Sequence, residues 1–179
     1  MLTIEIPEQE LFDEENSRFI TLKSQKLQLE HSLVSLSKWE SKWERAFLGK
    51  EPMTDDQLVD YIRCMTITQN VDPSVYNRLT IDNIKAVDSY INRKMTATTF
   101  HNLQEKPDRN VVTAEIIYYW MITMGVPMEC QKWHLNRLLT LIKVCALKNS
   151  PPKKMSRASA MARQRSLNAS RRRATGSRG

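Results

Sequence analysis

Residues 36–47 read Leu-Ser-Lys-Trp-Glu-Ser-Lys-Trp-Glu-Arg-Ala-Phe, and this stretch decides the fold class. Its large apolar side chains recur at intervals of three and four residues, at Leu36, Trp39, Trp43 and Phe47. That spacing predicts a helix with one apolar face. Ser37 followed by Glu40 fits a capping box at the start of this helix, and Gly49 followed by Pro52 predicts its end.

The chain beyond residue 50 predicts further helices, each with a local start signal. Thr54 and Gln57 form a second capping box, which predicts the start of another helix. The residues of this helix expected to face the core are Leu58, Tyr61, Ile62 and Met65. Asp72 before Pro73 predicts another start, because proline at the first helical position gives up no hydrogen bond. Thr80 is expected to cap a short helix whose shared face carries Ile84, Val87 and Ile91.

Two apolar helices are predicted toward the C-terminus. Residues 111–124 should form one of them, closed by Gly125, because helices often end on a residue with a left-handed backbone. Its nearly continuous apolar text predicts the central, buried helix of the domain. Residues 129–148 should form the last long helix, ended by Pro151 and Pro152. Its predicted core face carries Trp133, Leu138, Leu141, Ile142 and Cys145.

Residues 1–30 predict a small β element. Leu2, Ile4 and Ile6 alternate with polar residues, the period of a strand, and Pro7 ends the run. The acidic residues 8–16 predict a turn or loop, and residues 19–22 and 26–30 predict two strands that pair with the first. The expected fold is therefore mainly α: a compact helical domain of about five helices with a small N-terminal β element and a disordered basic C-terminal tail.

Residues 151–179 differ from the rest in charge, with nine basic residues and no acidic one. The remaining 18 basic and 20 acidic residues give residues 1–150 a net charge of −2, although the whole chain carries +7. We therefore predict a domain over residues 1–150 and a tail over residues 151–179. Because the tail has few apolar residues to bury, it should be disordered or a fraying helix capped by Ser156.

A tail of this charge attracts polyanions, either nucleic acid or an acidic protein surface. The basic residues expected to make such contacts are Lys153, Lys154, Arg171, Arg172 and Arg173.

The sequence contains no recognisable catalytic or cofactor-binding constellation. Cys130 and His134 have the i, i+4 spacing of a ligand pair, but no second pair completes a metal site, so none is predicted. There is no Gly-x-Ser-x-Gly motif, and the four glycines are too dispersed for a phosphate-binding loop. We therefore expect a binding protein without a cofactor, not an enzyme. The odd, widely spaced cysteines predict reduced thiols, and no leader or membrane span is expected.

Aromatic residues supply the first candidates for partner contacts. Tyr118, Tyr119 and Trp120 are consecutive, so at least one must face outward, and the two tyrosines are candidate interface residues. Trp39 and Trp43 could stack on bases or grip a partner helix, but we expect them in the core, where large aromatics dominate burial.

The second group of candidates lies in residues 94–110, which show no periodicity and predict a long connection of the kind that binds partners. Met95 and Phe100 are the candidate contacts there. The chain is rich in methionine, which predicts an adaptable surface or core, and exposed methionines suit the binding of varied apolar segments. The residues concerned are Met53, Met65, Met95, Met121, Met124 and Met128.

Five stretches of the sequence, taken together, point to a known family. The longest is Leu-Glu-His-Ser-Leu-Val-Ser-Leu-Ser-Lys-Trp-Glu-Ser-Lys-Trp-Glu at residues 29–44. The others are Asp-Tyr-Ile-Arg-Cys-Met-Thr at 60–66, Met-Thr-Ala-Thr-Thr-Phe at 95–100, Glu-Ile-Ile-Tyr-Tyr-Trp at 115–120 and Trp-His-Leu-Asn-Arg-Leu at 133–138.

These five stretches resemble tail assembly chaperones of long, non-contractile-tailed bacteriophages. The resemblance implies a small helical protein that binds and solubilises the tape measure protein and helps recruit the major tail protein. Its copies would associate weakly on the client, act in the host bacterial cytoplasm and be absent from the mature virion. Two alternatives stay open: a structural virion component such as a connector or scaffold, and a nucleic-acid-binding accessory protein acting through its basic tail.

Overall fold

The N-terminal hairpin opens the fold. The structure, a computed structural model, describes residues 1–13, 18–100, 111–150 and 157–176. It divides by contacts into two units, Met1–Leu147 and Lys148–Gly179. Strand β1 (Leu2–Ile6) pairs antiparallel with β4 (Gln25–Leu29), and β2 (Gln9–Asp13) pairs with β3 (Arg18–Leu22). Both pairs keep the same register, so they form one hairpin interrupted at residues 7–8 and 23–24.

Two sequence predictions about this hairpin are wrong. Residues 8–16 were expected to be a loop, but Gln9–Asp13 form a strand, and β3 pairs with β2 instead of with β1. The polar residues suggested a loop, but Gln9 and Glu10 remain exposed in the strand. Their backbone can therefore hydrogen-bond to β3 without burying either side chain. The alternation predicted for the first strand is confirmed: Ile4 and Ile6 are buried and Glu5 is exposed.

The helical part follows the hairpin. Its α-helices are α1 (Leu33–Trp43), α2 (Asp55–Met65), α3 (Ile81–Ile91), α4 (Ala114–Thr123) and α5 (Leu135–Asn149). Two 3₁₀ helices, Pro73–Arg78 and Met128–Lys132, precede α3 and α5. The mainly α fold with a small N-terminal β element is therefore confirmed.

Most of the predicted helix ends are confirmed. Thr54 and Gln57 exchange both hydrogen bonds of a capping box, at 3.1 and 3.3 Å. Thr80 caps α3 through the amide of Asn83, and Asp72 caps the 3₁₀ helix that begins at Pro73. Gly125 follows α4 with a φ of +66°.

The two ends of α1 were predicted wrongly. Its N-cap is Ser32, which forms a capping box with Ser35, so Ser37 is not a cap. The helix ends at Trp43, and Glu44 takes the left-handed conformation with a φ of +48°. Phe47 therefore lies beyond the helix, where the chain has turned back.

The predicted last helix is divided. Residues 129–148 were expected to be continuous, but the Met128–Lys132 3₁₀ helix ends before Trp133 and α5 starts at Leu135. The break occurs because the Leu135 amide donates to the His31 carbonyl at 2.7 Å, a tertiary bond that no local pattern reports.

The core has two clusters of buried side chains, and α1 contributes to both. Trp39 belongs to the first cluster, which also holds the inner face of β1 and β4 together with side chains of α2 and α3. Leu33 and Leu36 belong to the second, formed with α4 and α5. The central helix is therefore α1. The prediction that residues 111–124 form it is wrong, since α4 buries only one face, Ala114, Ile117 and Met121.

The unit Lys148–Gly179 contains helix α6 (Arg157–Thr175), with no buried residue. A disordered segment or a fraying helix was expected here; the structure describes a helix over Arg157–Thr175, in keeping with the helix-favouring alanine and arginine of this stretch. Ser156, the predicted cap, lies outside the described residues.

Candidate partner-binding surface

The two tryptophans of α1 pack in or against the hydrophobic core. Trp39 is fully buried and its indole N–H donates to the Gln57 carbonyl at 2.9 Å. Trp43 is half-buried, packs on the same cluster and donates to a carboxylate oxygen of Asp60 at 3.0 Å. The expectation that both are core residues is confirmed for Trp39 and holds in part for Trp43. Both indole N–H groups are thus bonded within the domain.

Asp60 on α2 forms an ion pair with the ammonium group of Lys42 on α1 and so connects the two helices. Burial alone would raise the pKa of Asp60. Hydrogen bonds from Lys42 and Trp43, with the charge of Arg63, lower the pKa instead. The carboxylate is thus held ionised as a structural group.

Glu40 is the residue whose role the sequence missed. Its carboxylate is buried at 6% exposure and accepts two backbone N–H bonds, from Phe47 at 2.8 Å and from Ala114 at 2.7 Å. The N-cap of α4, Thr113, makes no side-chain cap, so Glu40 caps this helix from α1. A carboxylate at a helix N-terminus also interacts favourably with the helix dipole. Glu40 thereby ties the N-terminus of α4 to α1.

Two buried histidines join the segments before α1 and α5. The rings of His31 and His134 meet edge to face with centroids 5.1 Å apart. His31 Nδ1 lies 2.5 Å from the hydroxyl of Tyr61. His134 Nε2 donates to the carbonyl of Tyr90 at 3.0 Å, and its Nδ1 accepts the Asn136 amide at 3.3 Å. Because Nδ1 already accepts, His134 is neutral with its proton on Nε2.

The spacing of Cys130 and His134 does not place these two residues on one helix face. Cys130 lies in the 3₁₀ helix and His134 after it, so the expected i, i+4 pair on one helix face does not exist. Burial lowers the pKa of His31 to about 3, and the neighbouring His134 adds to that effect. Burial also lowers the pKa of His134, against the opposing hydrogen bond to Tyr90. Within the described ranges no three His, Cys, Asp or Glu side chains are grouped for a metal ion.

The outward face of α4 carries the exposed apolar residues. Tyr119 is 65% exposed and Ile122, one turn further on, is 71% exposed. Residues three and four apart share a helix face, so Glu115 adds a negative charge to the same stripe. We call Glu115, Tyr119 and Ile122 the α4 stripe. It is opposite the buried side chains Ile117 and Met121. An exposed apolar helix face is a candidate for contact with another surface.

Of the two candidate tyrosines, only Tyr119 belongs to the α4 stripe. Tyr118 is half-buried and its hydroxyl is 3.0 Å from the side-chain oxygen of Gln131, so it braces the 3₁₀ helix. Burial, with the charge of Glu115, raises the pKa of Tyr118, which keeps the hydroxyl protonated as a donor. Ile122 was missed, although its spacing of three from Tyr119 is a usable signal.

Met95 and Phe100 lie beside a second surface, an open groove of about 510 Å³ between residues 94–100 and α5. Phe100 lines it together with Leu139, and the ammonium of Lys143 lies 4.7 Å from the centre of the Phe100 ring. Met95 is 40% exposed and has a φ of +50°. That left-handed backbone costs a non-glycine residue about 1–2 kcal/mol. Tyr119 does not line this groove.

The connection predicted over residues 94–110 is irregular over the part that the structure describes, residues 94–100. Its start is held by Asn136, whose side-chain amide donates to the carbonyls of Ile91 and Arg93, both at 2.8 Å. The remainder, residues 101–110, lies outside the described residues.

The basic candidates divide in the same way. Arg171, Arg172 and Arg173 are exposed on α6, whereas Lys153 and Lys154 lie outside the described residues.

The methionines predicted as an adaptable group are split between core and surface. Met65 and Met121 are buried, while Met128 is 44% exposed.

Comparisons with protein-family models, curated proteins and solved structures returned no match. Of the helices that the structure describes, none combines the length and the apolar character needed to cross a membrane.

Proposed function

We propose that this protein is a chaperone for a long, apolar, helical client, as the resemblance to phage tail assembly chaperones implies. The client is then the tape measure protein, with the major tail protein recruited afterwards. The observation that carries the proposal is the α4 stripe, where Tyr119 and Ile122 are 65% and 71% exposed on one helix face. Two large apolar side chains in succession on a surface helix are typical of an interface.

The α4 stripe suits a helical client for a physical reason. A helix whose i and i+3 positions project apolar groups packs into the grooves of another helix. Burying Tyr119 and Ile122 against such a client would contribute roughly 2–4 kcal/mol. That corresponds to roughly a 30- to 1000-fold change in the dissociation constant. The affinity of one copy is thus modest, as a protein that must leave the client requires.

The length of α4 limits how much of the client one copy of the protein can cover. The helix has 10 residues, which at 1.5 Å per residue is about 15 Å. One copy therefore covers only a short part of a long helix, and coating it takes many copies placed side by side. We expect weak self-association that the client strengthens by mass action.

The test is co-expression with the cognate tape measure protein, followed by centrifugation, sizing and mass measurement of the soluble fraction. Wild type should keep the client soluble in complexes with several copies of the chaperone. A client that stays insoluble, or a complex with one copy, rejects the proposed function.

Matched variants test the surface itself. The double variant Tyr119→Ser, Ile122→Ser should lose the soluble complex while melting like wild type. Ile81→Ser is the control, since Ile81 is 72% exposed and belongs to α3, a different helix. Equal client recovery with the double variant and with the control would remove the α4 stripe from the proposal.

The structural virion component remains the rival function. Purified virions distinguish the two, because a chaperone leaves during assembly whereas a connector or scaffold-like component stays at a defined copy number. Detection of this protein in mature virions at such a number contradicts the chaperone proposal.

A further inference from the structure

Helix α6 is the most strongly charged element that the structure describes. Its 19 residues include six arginines and neither an acidic residue nor a lysine, and none of them is buried. Residues 1–150 carry a net charge of −2, so the basic character of the chain is concentrated in its last part. A partner drawn to α6 by charge must therefore be a polyanion.

The arginines are placed to meet negative charge along the whole helix. Arg157, Arg165 and Arg172 are eight and seven residues apart and so share one face, while Arg163 projects from the opposite side. At 1.5 Å per residue α6 is about 28 Å long. Eight of its residues are alanine or serine, so the backbone can approach a ligand closely.

We propose that α6 binds double-stranded DNA through the phosphate backbone, with the helix lying in the major groove. The guanidinium groups explain the choice of phosphate, because arginine makes paired hydrogen bonds to phosphate oxygens. An α-helix fits the roughly 12 Å wide major groove of B-form DNA, and arginines on opposite sides of α6 then reach both flanking strands.

Other nucleic acids fit α6 less well. Proteins that bind single strands stack the bases on aromatic side chains, and α6 contains no aromatic residue. Duplex RNA has a deep, narrow major groove that does not admit an α-helix in the same way. An acidic polypeptide offers a lower and less regular density of charge than duplex DNA. The duplex is therefore the occupant that α6 matches.

The binding should be independent of base sequence and strongly dependent on salt. If all six arginines neutralise phosphates, the slope of log K against log salt is about −5. The affinity should then fall about 10³-fold between 50 and 200 mM salt.

The experiment uses the full chain and a fluorescein-labelled 20-base-pair duplex, with anisotropy measured across this salt range. The triple variant Arg171→Gln, Arg172→Gln, Arg173→Gln should lose about half of the salt slope. Its matched control is Lys23→Gln, Lys50→Gln, Lys85→Gln, which removes three exposed charges from the unit Met1–Leu147 and should leave the slope unchanged.

Three results would overturn the proposal. The first is an equal loss of slope in the variant and in the control. The second is displacement of the duplex by poly-glutamate at the same concentration of charge, which would make an acidic polypeptide the partner. The third is tighter binding of a 20-nucleotide single strand than of the duplex. No client is present in this assay, so its outcome is independent of the proposed chaperone function.

Discussion

Acidification from pH 7 to pH 5 should destabilise the folded domain, because it holds His31 and His134 buried and neutral. Both rings are at most 4% exposed. A proton added to Nδ1 of His134 would face the N–H of Asn136, which now donates to that atom. A proton added to His31 would place charge against His134, whose ring centroid is 5.1 Å away.

The magnitude follows for His31 from the difference between its folded and unfolded pKa. The pKa is lowered from 6.5 to about 3 on folding. Between these values the unfolded chain binds more protons than the native state. The contribution of His31 to the free energy of unfolding is therefore fully present above pH 6.5 and is lost as the pH falls below it. At pH 5 the loss from His31 is about 2 kcal/mol relative to pH 7. His134 acts in the same direction.

Urea unfolding followed by tryptophan fluorescence measures this loss. With a denaturant slope of about 2 kcal/mol/M for a domain of this size, the midpoint should fall by about 1 M or more between pH 7 and pH 5. In the variant His31→Gln, whose side-chain amide offers both a donor and an acceptor to the Tyr61 hydroxyl, the pH-dependent part of the free energy of unfolding should shrink by about 2 kcal/mol. Equal midpoints at the two pH values, or an undiminished pH effect in the variant, would refute the reasoning.

Three further predictions concern the core and the tail. Trp39→Ala should destabilise the domain by roughly 3–5 kcal/mol, and Trp43→Ala by less, because Trp43 is half-exposed; thermal melts of the two variants decide this. Glu40→Ala should cost about 2–4 kcal/mol, since two backbone N–H groups lose their acceptor, and Glu40→Gln, which keeps one oxygen, should fall between it and wild type in urea titrations. Removal of residues 151–179 should leave the melting temperature of the domain unchanged in calorimetry, and a fall of several degrees would show that these residues stabilise it.

The sequence predicted those features that depend on neighbouring residues. The caps at Thr54, Asp72 and Thr80 and the turn at Gly125 involve partners at most three residues away, so the local text contains them. The alternation of β1 is equally local. Where these signals exist, the helices and strands lie where they were expected.

The errors arose where a distant partner decides the outcome. Glu40 looked like a capping residue of its own helix, but its carboxylate is taken by the Ala114 amide, 74 residues further on. The last helix breaks at Trp133 because the next residues bond to the segment around His31. No pattern within a window of ten residues contains these contacts.

The candidate surface was predictable only in part, for the same reason. Helix α4 is apolar on nearly every side, so its sequence does not specify which side meets the core. Packing on α1 decides that Ile117 is buried and that Tyr119 and Ile122 are outside. Consecutive tyrosines indicated one outward residue, but not which one.

The interruption of the N-terminal hairpin separates it into two halves of different character. Arg78 marks the boundary, since its guanidinium donates to the carbonyls of Pro7 at 3.2 Å and Leu22 at 3.3 Å, one on each side of the ladder. The inner half buries Ile6 and Leu27 completely in the domain, whereas Glu10 and Phe19 in the outer half are exposed. In hydrogen exchange the outer amides should open locally and the inner ones only with the whole domain. The outer half, β2 and β3, therefore contributes little to the core. A different hairpin of the same length could replace it, joined where Arg78 bonds to Pro7 and Leu22, without disturbing the core.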